Sequence, residues 1–219
     1  MIEIKGNGNV ISKEFKVSSF IRLHISGKGT VELHQADEEK VIVETDENLL
    51  DCFDVENSGR TLYVSAEAKF RKPVFTKCKI RIYLRQVDVL YIRNDQADVV
   101  CPELISLMNP VEIKVQSIGN TELNLSAPSI KILCQTQGNV VLKGHCESLT
   151  IKNQSEGDFD SSALIAQTLS LKNMAQGNVD LFADKELTLS HFGQGYVHYA
   201  GKGILKDVKQ YGDGQIKHV

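Results

Sequence analysis

Asp160, Asp180 and His198 each stand three residues after a glycine, namely Gly157, Gly177 and Gly195, and those glycines belong to a repeat. On stacked strands such residues would lie one above another, about 5 Å apart. Two carboxylates at that range split their proton affinities, so that one serves as acid and the other as base. A histidine one strand further on completes a set suited to breaking a sugar linkage. Glu122, Val141 and Lys217 hold the same position after Gly119, Gly138 and Gly214. Such chemistry also needs a walled cleft to exclude water and hold the substrate. No repeat unit carries a long insertion to build one, and the competing reading is a solvated acidic face.

A second outward column is basic: Arg93, Lys114, Leu133, Lys152, Lys172, Ser190 and Lys209. Lysines on exposed strands favour solubility and discourage edge pairing. Spaced by the repeat, they also form an array for an anionic glycan or a lipid headgroup. The chain has no Trp, the usual platform for sugar stacking, but Phe182, Phe192, Tyr196, Tyr199 and Tyr211 crowd the last units. His191, His198 and His218 lie near them without HxxxH or HxH spacing, so no metal site is expected. A P-loop, GxGxxG and GxSxG are all absent, which leaves nucleotide and hydrolase-elbow readings without support. No cofactor is expected.

These positions depend on a repeat in the C-terminal half. Gly119, Gly138, Gly157, Gly177, Gly195 and Gly214 follow one another at steps of 19, 19, 20, 18 and 19 residues. Six residues before each stands an aliphatic residue: Ile113, Ile132, Ile151, Leu171, Leu189 and Val208. A period near 19 with one turn per period is a solenoid signature. Each unit holds two short runs of period two, such as Val140 and Leu142 after the glycine and Leu149 and Ile151 before the next. Alternation of this kind is a half-buried strand. Two strands and two corners per period make one rung of a parallel β-helix, with a third short strand as an option.

Glycine and Asn/Asp at the corners suit the left-handed backbone of a sharp turn. Asn120, Asn139, Asp158 and Asn178, each one past its glycine, are expected to stack as a structural column. A second, inward column reads Asn94, Val115, Cys134, Asn153, Asn173, His191 and Gln210. Its buried asparagines need amide partners and are expected to supply them to one another.

The fold class expected is therefore all-β. An irregular N-terminal β region, residues 1–95, caps a β-helix over residues 96–219, the two forming one continuous unit. Within the first part, Phe20 to Ile25, a glycine turn at Ser26-Gly27-Lys28-Gly29, and Val31 to Leu33 read as strand, turn and strand. Val41–Val43, Thr61–Val64 and Ile80–Leu84 are further strands, and Glu47–Phe53 a short helical turn. Residues 66–77, with Lys69, Arg71, Lys72, Pro73 and Lys77, read as an exposed connection. The first corner, Gln96-Ala97-Asp98, lacks the glycine, and its rung contains Pro102 and Pro110.

The formal net charge of −3 over 219 residues provides no basic field for nucleic acid. The apolar runs are far shorter than a membrane span. Five cysteines, Cys52, Cys78, Cys101, Cys134 and Cys146, form no CxxC pair and suggest neither a disulfide framework nor a zinc site. The opening residues, Met1 to Gly6, carry neither the basic nor the apolar region of a signal peptide.

The N-terminal half adds Gly6-Asn7-Gly8-Asn9-Val10, Phe20-Ile21-Arg22-Leu23-His24-Ile25 and Gly29-Thr30-Val31-Glu32-Leu33. Val41 to Leu49 and Gly59-Arg60-Thr61-Leu62-Tyr63-Val64 follow. With the Gly-Asn/Asp repeats, this order resembles the auto-transporter adhesin head domain, or GIN domain, family common in Bacteroidetes. The family pattern usually repeats Gly-Ser-Gly-Asp, where this chain has single glycines followed by Asn or Asp. The resemblance implies a β-solenoid of the cell envelope or exterior and carries no catalytic residues over. An N-terminus without a leader would instead imply the cytoplasm.

The leading function is a non-catalytic binding or adhesion module for an anionic glycan or another surface ligand. The alternatives are a polysaccharide-acting enzyme of the pectinase type and a structural envelope component. The final residues, Gly214 to Val219, look like the start of another rung with an open strand edge. This end is expected to be covered by a second copy, in a symmetric homodimer, or by a loop folded back from the N-terminal region. The competing reading is that Lys217 and His218 alone protect it.

Overall fold

A computed structural model describes residues 2–66 and 71–219. Lys69 lies outside the described residues, and so do the side chains of Arg71 and Asn94. The chain is nearly all β, with 67% of its residues in strands and 3% helical, wound into a solenoid of about 6 turns.

The N-terminal part contains β1 (Ile2–Lys5), β2 (Val10–Lys16), β3 (Arg22–Gln35), β4 (Lys40–Asp46), a 3₁₀ turn at Glu47–Cys52, β5 (Asp54–Ser58), β6 (Thr61–Ala66), β7 (Arg71–Val74) and β8 (Cys78–Leu84). Next come β9 (Val89–Val100), β10 (Ile105–Ser106) and β11 (Val111–Ser117). The regular stack is β12 (Thr121–Cys134), β13 (Val140–Asn153), β14 (Phe159–Asn173) and β15 (Val179–His191). It closes with β16 (Val197–Ala200), β17 (Ile204–Gln210) and β18 (Ile216–His218).

Each regular rung is one strand of 13 to 15 residues, bent in the middle, and not two separate short strands. β12 pairs in parallel with β13 along almost its whole length, from Thr121 against Val140 to Cys134 against Asn153. Alternate residues turn inward: Leu123, Ile130, Ile132, Leu142, Leu149 and Ile151 are all buried. Each aliphatic residue thus stacks on its counterpart one rung away, as the alternation predicts.

The corner glycines have a different physical reason from the expected one. Gly119, Gly138, Gly157, Gly177, Gly195 and Gly214 are not among the glycines of positive φ. Their constraint is contact between rungs. A Cβ on Gly138 would sit 2.1 Å from the Gly119 carbonyl oxygen, and one on Gly195 would sit 2.1 Å from that of Gly177. Positive φ appears instead at Gly27 (104°) and Gly29 (98°), where β3 bends without breaking. The expected strand–turn–strand at Ser26–Gly29 is therefore one 14-residue strand and already a rung. It pairs in parallel with β9, β6 and β8.

The 95/96 division falls inside β9, and stacking begins with β3. What distinguishes the N-terminal end is its antiparallel strands. β2 pairs antiparallel with β4, β4 with β8, and β5 with β6. Phe20, Leu49, Cys52 and Phe53 are buried at this end. Asp46, also buried, accepts hydrogen bonds from the Gly8 and Thr76 amides and the Thr76 hydroxyl. Part of the expected exposed connection is strand, because β7 finds a parallel partner in β1.

Both predicted columns exist, with changes. At the corners, Asn120 Oδ1 accepts the Asn139 amide, Asn139 Oδ1 that of Asp158, Asp158 Oδ1 that of Asn178, and Asn178 Oδ1 that of Tyr196. In the inward column, Cys134, Asn153, Asn173, His191 and Gln210 are in register. The asparagines do not serve one another as expected. Asn153 Oδ1 accepts the Ser155 amide and Asn173 Nδ2 donates to His191 Nδ1, while Asn153 Nδ2 and Asn173 Oδ1 have no partner among the described residues. Asn94 does not belong to this column: Ile92 lies against Val115, and Asn94 pairs with Ser117. The rung between them is 23 residues long from Ile92 to Val115, and the added length is in the segment holding Pro102 and Pro110.

Candidate functional site

The basic column lies on the sheet that precedes each glycine. Lys114 pairs with Leu133, Leu133 with Lys152, Lys152 with Lys172, Lys172 with Ser190, and Ser190 with Lys209. Parallel pairing at about 4.8 Å puts Lys152 and Lys172 on adjacent rungs. Arg93 is displaced from this column for the same reason as Asn94. It pairs with Gln116, and the residue beside Lys114 is Tyr91. Beyond Tyr91 the column continues through His24 and Tyr63.

A groove of about 650 Å³ runs along this face. One wall is Lys114, Leu133, Lys152 and Lys172; the other is Glu112, Lys131, Thr150 and Ser170. Between them lie Ile113, Ile132 and Ile151, whose side chains are buried in the core. The floor is consequently peptide backbone. A second hollow of about 570 Å³ adjoins it, sharing His24 and Tyr91 and adding Tyr63, Asp54, Glu56 and Arg93.

The groove is electrostatically lopsided. Lys131 is neutralised by Glu112 at 2.8 Å. Lys114 lies 5.0 Å from the centre of the Tyr91 ring, a cation–π contact. Lys152 and Lys172 have no acidic partner among the described residues. At the far end His24 packs edge-on against Tyr63 (4.8 Å between ring centres) and Tyr91 (5.2 Å). Burial holds the His24 pKa below the ordinary histidine value, so the ring is neutral at pH 7. The Tyr91 hydroxyl donates to Gln116, whose amide donates to Gln135, whose amide donates to Gln154. This glutamine ladder holds Tyr91 in place.

Sequence reasoning missed this aromatic group and looked for aromatic residues in the last rungs. Tyr91 could have been found from the β9–β11 register, but the longer rung hides that register. Tyr63 and His24 lie in strands outside the 19-residue period. The aromatic residues of the last rungs pair differently: Phe192 stacks on Tyr211 at 5.0 Å, and Tyr199 packs on His218 at 4.9 Å.

The acidic column is in the predicted register, Asp160 beside Asp180 and Asp180 beside His198. The side chains are engaged separately. Asp160 accepts hydrogen bonds from the backbone and hydroxyl of Ser162, and Asp180 lies 3.1 Å from His198 Nδ1. Glu122 pairs with Lys143. Neither groove described above includes Asp160, Asp180 or His198.

No disulfide links the five cysteines among the described residues. Burial pushes Cys78, Cys101 and Cys146 up to about 12, so they remain protonated and unreactive. Among the described residues, no helix is long and apolar enough to cross a membrane.

Stacked rungs, backbone-contact glycines and a groove along one sheet define a β-solenoid with a partly basic face. The chain belongs to the family described as "Putative auto-transporter adhesin, head GIN domain", whose model matches residues 19–203. No curated protein matches it. Among solved structures it is similar to a putative adhesin from Bacteroides fragilis, with 19% identity, a TM-score of 0.90, and coverage of 99% of this chain and 100% of that one. It is also similar to a putative lipid binding protein from Parabacteroides distasonis, with 19% identity, a TM-score of 0.74 and 99% coverage of both chains. A putative adhesin from the same species has 19% identity and a TM-score of 0.77, covering 99% of this chain and 100% of its own. At these identities the likeness is one of fold.

Proposed function

We propose that the protein is a non-catalytic binding module that holds an anionic glycan along the lysine groove. The observation that carries this reading is the pair Lys152 and Lys172, unpaired by acid on adjacent rungs of a backbone-floored groove. Two ammonium groups at rung spacing match successive carboxylates or sulfates on an extended polymer. The floor presents backbone, and the Tyr63–His24–Tyr91 cluster offers ring faces and edges for sugar C–H groups. A pectinase-type reaction finds less support, since Asp160, Asp180 and His198 lie outside both grooves.

The test is a panel of neutral, uronic and sulfated glycans, read at low and at physiological salt, beside vesicles of anionic and of zwitterionic lipid. Exposed charges are screened beyond about 8 Å at physiological ionic strength. The expected outcome is retention of uronic and sulfated glycans that weakens as salt rises. Binding to neutral glycans that is indifferent to salt would overturn the reading, as would binding to anionic vesicles alone. The vesicle arm matters because one structural relative is described as a lipid binding protein.

A further inference from the structure

The two ends of the solenoid differ. At the N-terminal end, β2 and β5 close the sheets in antiparallel fashion, and β2 carries Lys13, Glu14 and Lys16 along its outer edge. At the other end β17 pairs with β15 on one side, and no described residue pairs with its far side. Its inward residues are uncovered. Leu205 and Val208 lie on Leu187 and Leu189, which are both 0% exposed, yet are themselves 37% and 42% exposed.

The register of β17 adds a second feature. Leu205 pairs with Leu187, but Asp207 pairs with Thr188, so Lys206 is the extra residue of a bulge. Without the bulge, Leu205 and Val208, three apart, would face opposite sides of the strand. With it, both face the core end and enclose two charged residues of opposite sign. The run Leu205-Lys206-Asp207-Val208 is therefore self-complementary when read against itself in reverse. Leu205 meets Val208 and Lys206 meets Asp207, each twice. The existing pairs Lys206–Glu186 (3.3 Å) and Lys209–Asp207 (3.6 Å) are about half exposed and weak enough to be exchanged.

We propose that β17 pairs antiparallel with β17 of a second copy, in the register that sets Lys206 against Asp207, forming a two-fold end-to-end dimer. A two-fold interface requires a surface that complements itself, and this strand does so in backbone pairing, apolar contact and charge. The same contact covers Leu205 and Val208 and removes a free sheet edge of the kind that invites uncontrolled pairing.

Sedimentation or light scattering on the whole chain tests this through charge swaps at two exposed positions. The native chain is expected to dimerise at micromolar concentration. Lys206→Asp alone and Asp207→Lys alone each set like charges together and should be monomeric. An equimolar mixture of these two variants, and the double swap Lys206→Asp with Asp207→Lys, should both be dimeric. Circular dichroism on each variant confirms that the fold is kept. A monomeric native chain, a dimer that survives both single swaps, or a mixture that fails to pair would each overturn the proposal.

Discussion

Single residues in this protein are chosen largely by what the neighbouring rung allows. A Cβ at Gly157 would lie 2.5 Å from the Gly138 carbonyl oxygen, which is backbone and cannot swing aside. Gly157→Ala should therefore destabilise by about 1–3 kcal/mol, the usual range for overpacking, measured as a lower denaturation midpoint. The opposite choice, a polar group kept inside, appears at His191. Its side chain is fully buried, its Nδ1 accepts from Asn173, and the rest of the ring lies against the Gly195 and Gly214 backbone. Burial holds its pKa below the ordinary histidine value. The neutral ring's contribution to stability is thus complete above about pH 6.5, the unfolded value, and is lost as pH falls below it, because the unfolded state takes up the proton first. His24 is shifted the same way and shares that window. Melts from pH 7.5 to 5 should show falling stability in the native chain and a shallower fall in His191→Asn; equal slopes would contradict the assignment.

At the scale of strands and columns, the regular stack could be read from sequence and the N-terminal rungs could not. The 19-residue spacing of glycine, and of the aliphatic residue six before it, gave the rung and its inward parity from Val111 to Val219. The β3 rung was obscured because its corner uses Gly27 and Gly29 at positive φ in place of a glycine–carbonyl contact. The longer rung at Pro102 and Pro110 shifted Arg93 and Asn94 out of their assigned columns. It therefore hid Tyr91, and with it the aromatic end of the groove. From Val115 onward the inward column was right in position and wrong in bonding, and the correction separates two variants. Asn173→Leu removes the partner of a buried histidine and should cost roughly 1–3 kcal/mol. Each variant also removes one polar atom without a partner among the described residues, so the difference lies in the bond lost. Asn153→Leu removes only a 3.3 Å acceptor for the Ser155 amide and should cost clearly less. Denaturant unfolding that ranks the two in the reverse order would return the column to amide-to-amide stacking.

Across the whole molecule, the solenoid turns a short repeat into two long faces that differ in charge. One face carries Glu122, Asp160 and Asp180, whose carboxylates are engaged by Lys143, Ser162 and His198. The other carries Lys152 and Lys172 along a groove, with no acidic partner for either among the described residues. A net charge of −3 conceals this division, because the basic residues are concentrated by stacking and not by composition. The most direct measurement compares one charge change on each face, using titration calorimetry with a sulfated or uronic oligosaccharide at low salt. Each lost charge-assisted contact is worth roughly 1.5–3 kcal/mol in favourable cases. Lys152→Gln with Lys172→Gln should weaken binding at least tenfold, whereas Asp160→Asn with Asp180→Asn should leave it unchanged or slightly stronger. Unaltered affinity in the lysine variant, or loss of binding in the aspartate variant, would contradict the assignment of the lysine groove as the site.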